Sequence, residues 1–189
     1  MDWGGQLLTQ LEWHWDNQLR ARLEGITDDE YFWEPVPGWN VRRRGSSSAR
    51  RDEGYVQVGS GDFVIDFAFP EPRPAPITTI AWRLNHILVG VLGARIAGHF
   101  GGQPHDYFTY DYPGTASEAL RRLDDLHDQW VAGVRSWSDE DLEVPVGELE
   151  EDFESSPRAE LVLHIHRELI HHGAEIALLR DLYGQRADA

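Results

Sequence analysis

Apolar residues recur at spacings of three and four along residues 3–24: Trp3, Leu7, Leu8, Leu11, Trp15, Leu19 and Leu23. That period predicts an amphipathic helix, with Gly25 as its stop. Thr27-Asp28-Asp29-Glu30 then reads as a capping box. The helix it opens is short, because Pro35 and Pro37 follow. A second long helix is predicted over 77–100, capped by Thr78 or Thr79 and ended by Gly101, Gly102 and Pro104. It is apolar nearly all round, the mark of a buried central helix. Gly90 and Gly93 cost helix stability there, so they serve close packing or leave room for a ligand. A third helix is predicted over about 116–137, opened by Ser117 and carrying Leu120, Leu123, Leu126, Trp130 and Val134. A loop with Pro145 and Gly147 follows, and a fourth helix runs from near Pro157 to Tyr183, before Gly184.

The irregular stretch is 35–76. Within it, Tyr55, Val56 and Val58, then Phe63, Val64, Ile65 and Phe67, flank Gly59-Ser60-Gly61, a pattern for a small β-hairpin. A connection this long in a compact domain is unusual, and its aromatic content favours an ordered crossover. Its Pro70–Pro76 end is expected to be extended and stiff. Residues 105–115 form a loop rich in Tyr107, Tyr110 and Tyr112. Four long helices with one long crossover between the first and second predict an all-α four-helix bundle, a single domain over 1–189. Such bundles build metal sites from side chains on facing helices.

Composition narrows the function classes. A 41% hydrophobic content over 189 residues is ordinary for one globular domain. No stretch reaches the eighteen or so uninterrupted apolar residues of a membrane span. The start Met1-Asp2-Trp3-Gly4 lacks a basic and then apolar leader, so the expected location is cytoplasmic. With no cysteine, any metal must use His, Asp or Glu. A formal charge of −16 speaks against nucleic acid or an anionic membrane as partner. The one basic cluster, Arg42, Arg43 and Arg44 with Arg50 and Arg51, surrounds Gly45-Ser46-Ser47-Ser48. It reads as a flexible, solvated loop, with the grip on an anionic substrate as the alternative.

The candidate chemistry lies in residues 164–175, where four of the nine histidines and two carboxylates sit in an otherwise apolar helical segment. At 100° per residue, His164, Glu168, His171, His172 and Glu175 share roughly a third of the circumference, while His166 points the other way. Burying five such groups costs much unless something pairs them, and a divalent metal does so well. Helical i, i+4 pairs are His164 with Glu168, Glu168 with His172, and His171 with Glu175. A catalytic site needs a further ligand from elsewhere, and His86, mid-way along the second helix, is the candidate. Glu175 could instead orient an imidazole. His14, within Trp13-His14-Trp15, is expected to be structural or exposed, and His99, His105 and His127 to lie at the surface.

The run His171-His172-Gly173-Ala174-Glu175-Ile176, with His86 in an apolar second helix, resembles the DinB/YfiT-like superfamily of metalloenzymes. So do Ile77-Thr78-Thr79-Ile80-Ala81-Trp82-Arg83-Leu84-Asn85-His86 and Glu30-Tyr31-Phe32-Trp33-Glu34-Pro35-Val36-Pro37-Gly38. The resemblance implies a metal triad of one His on the second helix and a His-x-x-x-His pair on the fourth. Carried over, His86 and His172 are ligands, and the third position falls on Glu168, where the family pattern has His. Glutamate can ligate a divalent metal, Zn or Ni being the expected ones, but the change could equally mark an altered or lost site; His164 and His171 then stand in reserve. The resemblance further implies a small-molecule substrate, a homodimer, and an enzyme using a low-molecular-weight thiol such as mycothiol, as the family's S-transferases and maleylpyruvate isomerases do. A metal-bound water acting in hydrolysis fits the same ligands. The alternative is a non-catalytic helical ligand-binding or interaction protein.

Overall fold

The computed structural model describes residues 2–48 and 53–186. The first apolar stripe becomes one helix over residues 3–22, α1: an α-helical part Trp3–His14, a π segment Trp15–Leu19 and a last turn Arg20–Arg22. Leu8, Leu11, Trp15, Leu19 and Leu23 are buried along it, whereas Trp3 lies outside the core. Helix α2, Asp28–Tyr31, is capped by Thr27, whose Oγ1 accepts from the Glu30 amide at 3.2 Å. The Glu30 carboxylate does not close the box. It pairs instead with Arg180 at 2.6 Å.

The expected hairpin forms: β2, Tyr55–Val58, pairs antiparallel with β3, Phe63–Ala68, with Val58 opposite Ile65. The sequence reading missed its third strand, β1, Val41–Arg43, which pairs with the other edge of β3, giving the order β1-β3-β2. Arg42 and Arg43 therefore lie in a strand, not in a flexible loop. Arg42 Nε meets Asp66 Oδ2 at 2.8 Å and its Nη1 meets Glu34 at 2.6 Å. Arg44 donates to the carbonyls of Gly59 and Gly61 at 2.8 and 2.9 Å. Asp66 is fully buried, and a buried carboxylate needs such a partner. Arg50 and Arg51 lie outside the described residues.

The second long helix, α3, spans residues 80–100: Ile80–His86, a π segment Ile87–Gly93, and Ala94–Phe100. It starts later than the periodicity predicts because the chain at 77–79 is held extended by Trp39, whose amide donates to Ile77 O at 2.9 Å and whose carbonyl accepts from Thr79. Thr79 is the cap, accepting from the Trp82 amide at 3.2 Å. Trp82 Nε1 ties the sheet to this helix by donating to Asp66 O at 2.8 Å.

Helix α4, Ala116–Arg135, is capped by Thr115 rather than Ser117. The following connection contains two elements the composition did not reveal. They are α5, Asp139–Glu143, with a Ser138/Asp141 capping box, and a 3-10 turn, Glu148–Phe153. Helix α6, Arg158–Gln185, follows Pro157. Helix α1 packs on α4 and α6, and α3 packs on the same two helices, so a mainly helical core carries a small antiparallel sheet at one side. No helix among the described residues is long and apolar enough to cross a membrane.

Candidate metal centre

Helices α3 and α6 bring the three expected ligand positions together. His86 is the last residue before the π segment of α3; Glu168 and His172 stand one turn apart on α6. One ligand atom from each of His86, Glu168 and His172 lies within 4.8 Å of the others. His172 Nε2 is 3.3 Å from Glu168 Oε2. Two donors about 2.1 Å from one tetrahedral zinc stand roughly 3.4 Å apart, so this edge already has the right length. Glu168 keeps 24% of its side chain exposed and His172 7%, which places the cluster at the inner end of a solvent-accessible face.

Both imidazoles are held at Nδ1. His172 Nδ1 lies 2.8 Å from Glu175 Oε2, and that same oxygen is 3.1 Å from Arg83 Nε. His86 Nδ1 lies 2.6 Å from the Tyr107 hydroxyl. Gly90 makes that contact possible, because a Cβ at this position would stand 2.4 Å from Tyr107 Oη. Gly93 likewise admits the His105 ring, so both helix glycines serve close packing. The His86 ring stacks on Trp82 at 5.4 Å. Burial pushes the His86 pKa down to about 3, helped by the neighbouring His172 ring and the positive charges of Arg83 and Arg95. Burial also lowers that of His172, against the raising effect of Glu175. Neutral imidazoles are the form that ligates metal.

The rest of the histidine cluster separates by depth. His164 Nδ1 reaches Glu168 Oε1 at 3.7 Å, and Arg167 approaches the same oxygen at 3.4 Å. His171 has 62% of its side chain exposed, so the five groups do not share one buried face. His171, His172 and Glu175 form a second compact group, but Arg83 already supplies a cation beside its carboxylate. His166 is buried on the opposite side of α6, as the helical wheel requires. His14 pairs with Gln18 at 2.9 Å, and His105 Nδ1 with Gln103 O at 2.9 Å. Two surface expectations fail. His127 is buried and stacks on Trp15 at 3.8 Å, and His99, a half-buried residue, has its side chain only 5% exposed with Nε2 2.9 Å from Glu150. Arg83 and Tyr107 were missed as partners of the site. The glycine at 90, an otherwise costly helix residue, was the signal for Tyr107; nothing in the local pattern marked Arg83.

A cavity of about 390 Å³ lies beyond His164, with none of the three clustered side chains in its lining. It runs between α3, the 3-10 turn and the start of α6, and is lined by Val146, Leu161, Phe153, Arg95, Arg167 and His164. His164 links this space to Glu168. The volume lies within the range of about 300–1,000 Å³ usual for small-molecule pockets.

No curated protein and no solved structure matches the chain. A family model described as the DinB superfamily matches residues 10–176. That span takes in all of α3 and α4, most of α1 and α6, the sheet and all three clustered side chains, and the chain accordingly belongs to the DinB superfamily.

Proposed function

We propose that this protein is a metal-dependent enzyme whose four long helices form a four-helix bundle around one divalent metal, Zn or Ni, held by His86, Glu168 and His172. The observation that carries this reading is the convergence of three donors from two helices within 4.8 Å. Two histidines and a carboxylate are a common catalytic set that leaves a fourth position open. When bound, the metal supplies Lewis acidity and lowers the pKa of a thiol or water in that position. His86 and His172 stay neutral at pH 7 and so need lose no proton to ligate. The cavity reached through His164 holds the body of a small-molecule substrate on Val146, Leu161 and Phe153. The chain has no cysteine, so the thiol of an S-transfer reaction comes from a low-molecular-weight cofactor of the mycothiol type. That part of the reading rests on the family resemblance, as does assembly as a homodimer.

A second reading has one observation in its favour. Glu168 already meets His172, His164 and Arg167 at 3.3, 3.7 and 3.4 Å, a polar network that closes without metal in a non-catalytic bundle. Elemental analysis of protein purified without an affinity tag separates the two. The enzyme reading expects stoichiometric metal that disappears in His86→Ala and His172→Ala, and metal-dependent consumption of a small thiol with an electrophile panel. Absence of metal together with no thermal shift on adding any divalent ion would sink it.

A further inference from the structure

We propose that Glu175, anchored by Arg83, is a positioning residue that fixes His172 as the Nδ1–H tautomer before any metal arrives, whereas Tyr107 leaves His86 free to take either tautomer. The tautomer assignment stands on this chain's own hydrogen bonds; only its consequence for metal affinity rests on the proposed centre.

A neutral imidazole has one proton to place, and His172 has a carboxylate at each nitrogen. Glu175 Oε2 is 2.8 Å from Nδ1, and Glu168 Oε2 is 3.3 Å from Nε2. The shorter contact is within ordinary hydrogen-bond length and the longer one is beyond it. The proton therefore sits on Nδ1 and is donated to Glu175. Arg83 opposes this only weakly. Its Nη1 is 3.4 Å from Nδ1, while its Nε holds the same Glu175 oxygen at 3.1 Å. Arg83 thus steadies the acceptor rather than competing for the ring. The bare Nε2 lone pair is left facing Glu168.

His86 differs because its partner is a phenol. A hydroxyl both donates and accepts, so the 2.6 Å contact from Nδ1 to Tyr107 Oη satisfies either tautomer. If the hydroxyl donates, Nε2 carries the proton and has no lone pair to offer. If Nδ1–H donates, Nε2 is bare and the Tyr107 O–H turns away from the imidazole. Ligation through Nε2 requires the second arrangement. His172 is then the preset anchor, and His86 joins by reversing one hydrogen bond.

Long-range ¹H–¹⁵N correlation of the imidazoles in the full-length, metal-free protein at neutral pH reads this directly. His172 is expected as Nδ1–H in the wild type. In Glu175→Gln, whose amide can donate to Nδ1, the Nε2–H form is expected to appear. Tyr107→Phe is expected to change the His86 signals and leave those of His172 in place. Zinc titration should then show a loss of about 10–100-fold for Glu175→Gln, the usual effect of removing an orienting partner. His172 found as Nε2–H in the wild type, or tautomer populations untouched by Glu175→Gln, overturns the inference. Because Glu175 is partly exposed, Glu175→Ala provides a second variant should the glutamine side chain re-pair. A wild type that fails to bind zinc defeats the metal reading alone, since the tautomers are still measured.

Discussion

His86 and His172 meet edge to face, their ring centroids 4.7 Å apart and their planes at 86°. One ring comes from α3 and the other from α6, so the contact exists only when those helices lie side by side. Two cationic imidazoles at this distance would repel, and burial holds both neutral. The pair is thus a packing contact and a possible ligand pair at once.

Zinc or nickel binding should stabilise the folded state by mass action, about 2.7 kcal/mol at a hundredfold excess over Kd. A thermal-shift titration is expected to show this for the wild type and not for His86→Ala or His172→Ala. Glu168→His, which supplies the histidine that the resemblance implies at this position, is expected to keep or raise the shift. Glu168→Gln should lower it; full affinity in that variant removes Glu168 from the ligand set.

Gly90→Ala separates positioning from stability. In an ordinary helix interior this change gains about 1 kcal/mol. Here the new Cβ would stand 2.4 Å from Tyr107 Oη and 3.2 Å from its Cζ, so the phenol must shift. We expect a melting temperature near that of the wild type but zinc affinity down about tenfold, as Tyr107 leaves His86. Unchanged affinity by calorimetry would show that Tyr107 does not position His86.

Acid should destabilise the metal-free protein through its buried histidines. Burial lowers the His166 pKa from 6.5 to about 4, and lowers that of His127 as well. The unfolded chain takes up protons that the folded one refuses. Stability is therefore full above pH 6.5 and falls as pH drops towards about 4, by an order of 3 kcal/mol for His166. Urea unfolding across this range, with a chelator present, should show a shallower decline in His166→Leu. An identical slope in the variant would exclude His166 as a contributor.

Arg180 ties the end of α6 to the first third of the chain. It pairs with buried Glu30 at 2.6 and 3.2 Å and donates to the carbonyls of Arg22 and Glu24. Arg180→Met strands the Glu30 carboxylate and is expected to cost about 3 kcal/mol in urea unfolding. Arg121→Ala, which breaks ion pairs to Glu118 and Asp125 on the surface of α4, should leave the urea midpoint in place.

The sequence by itself determined the four long helices and the hairpin, because their signals are local: a three-to-four spacing, a cap at Thr78 or Thr79, the Gly59-Ser60-Gly61 turn. It also pointed to His86 through its place mid-way along an apolar helix, and to three i, i+4 pairs on the last helix, among which family likeness selected Glu168 with His172. Strand β1 was hidden, since Arg42 looks like solvated charge until Asp66 and Glu34, distant in the chain, pair with it. His99 and His127 were misplaced for the same reason: what buries them, Glu150 and Trp15, comes from other elements. Tertiary structure alone decided which of five helix-face groups turn inward. Helix periodicity fixes an angle around the axis, whereas depth depends on what packs opposite. Opposite His172 stand His86 and Arg83; His171, one residue earlier, faces solvent.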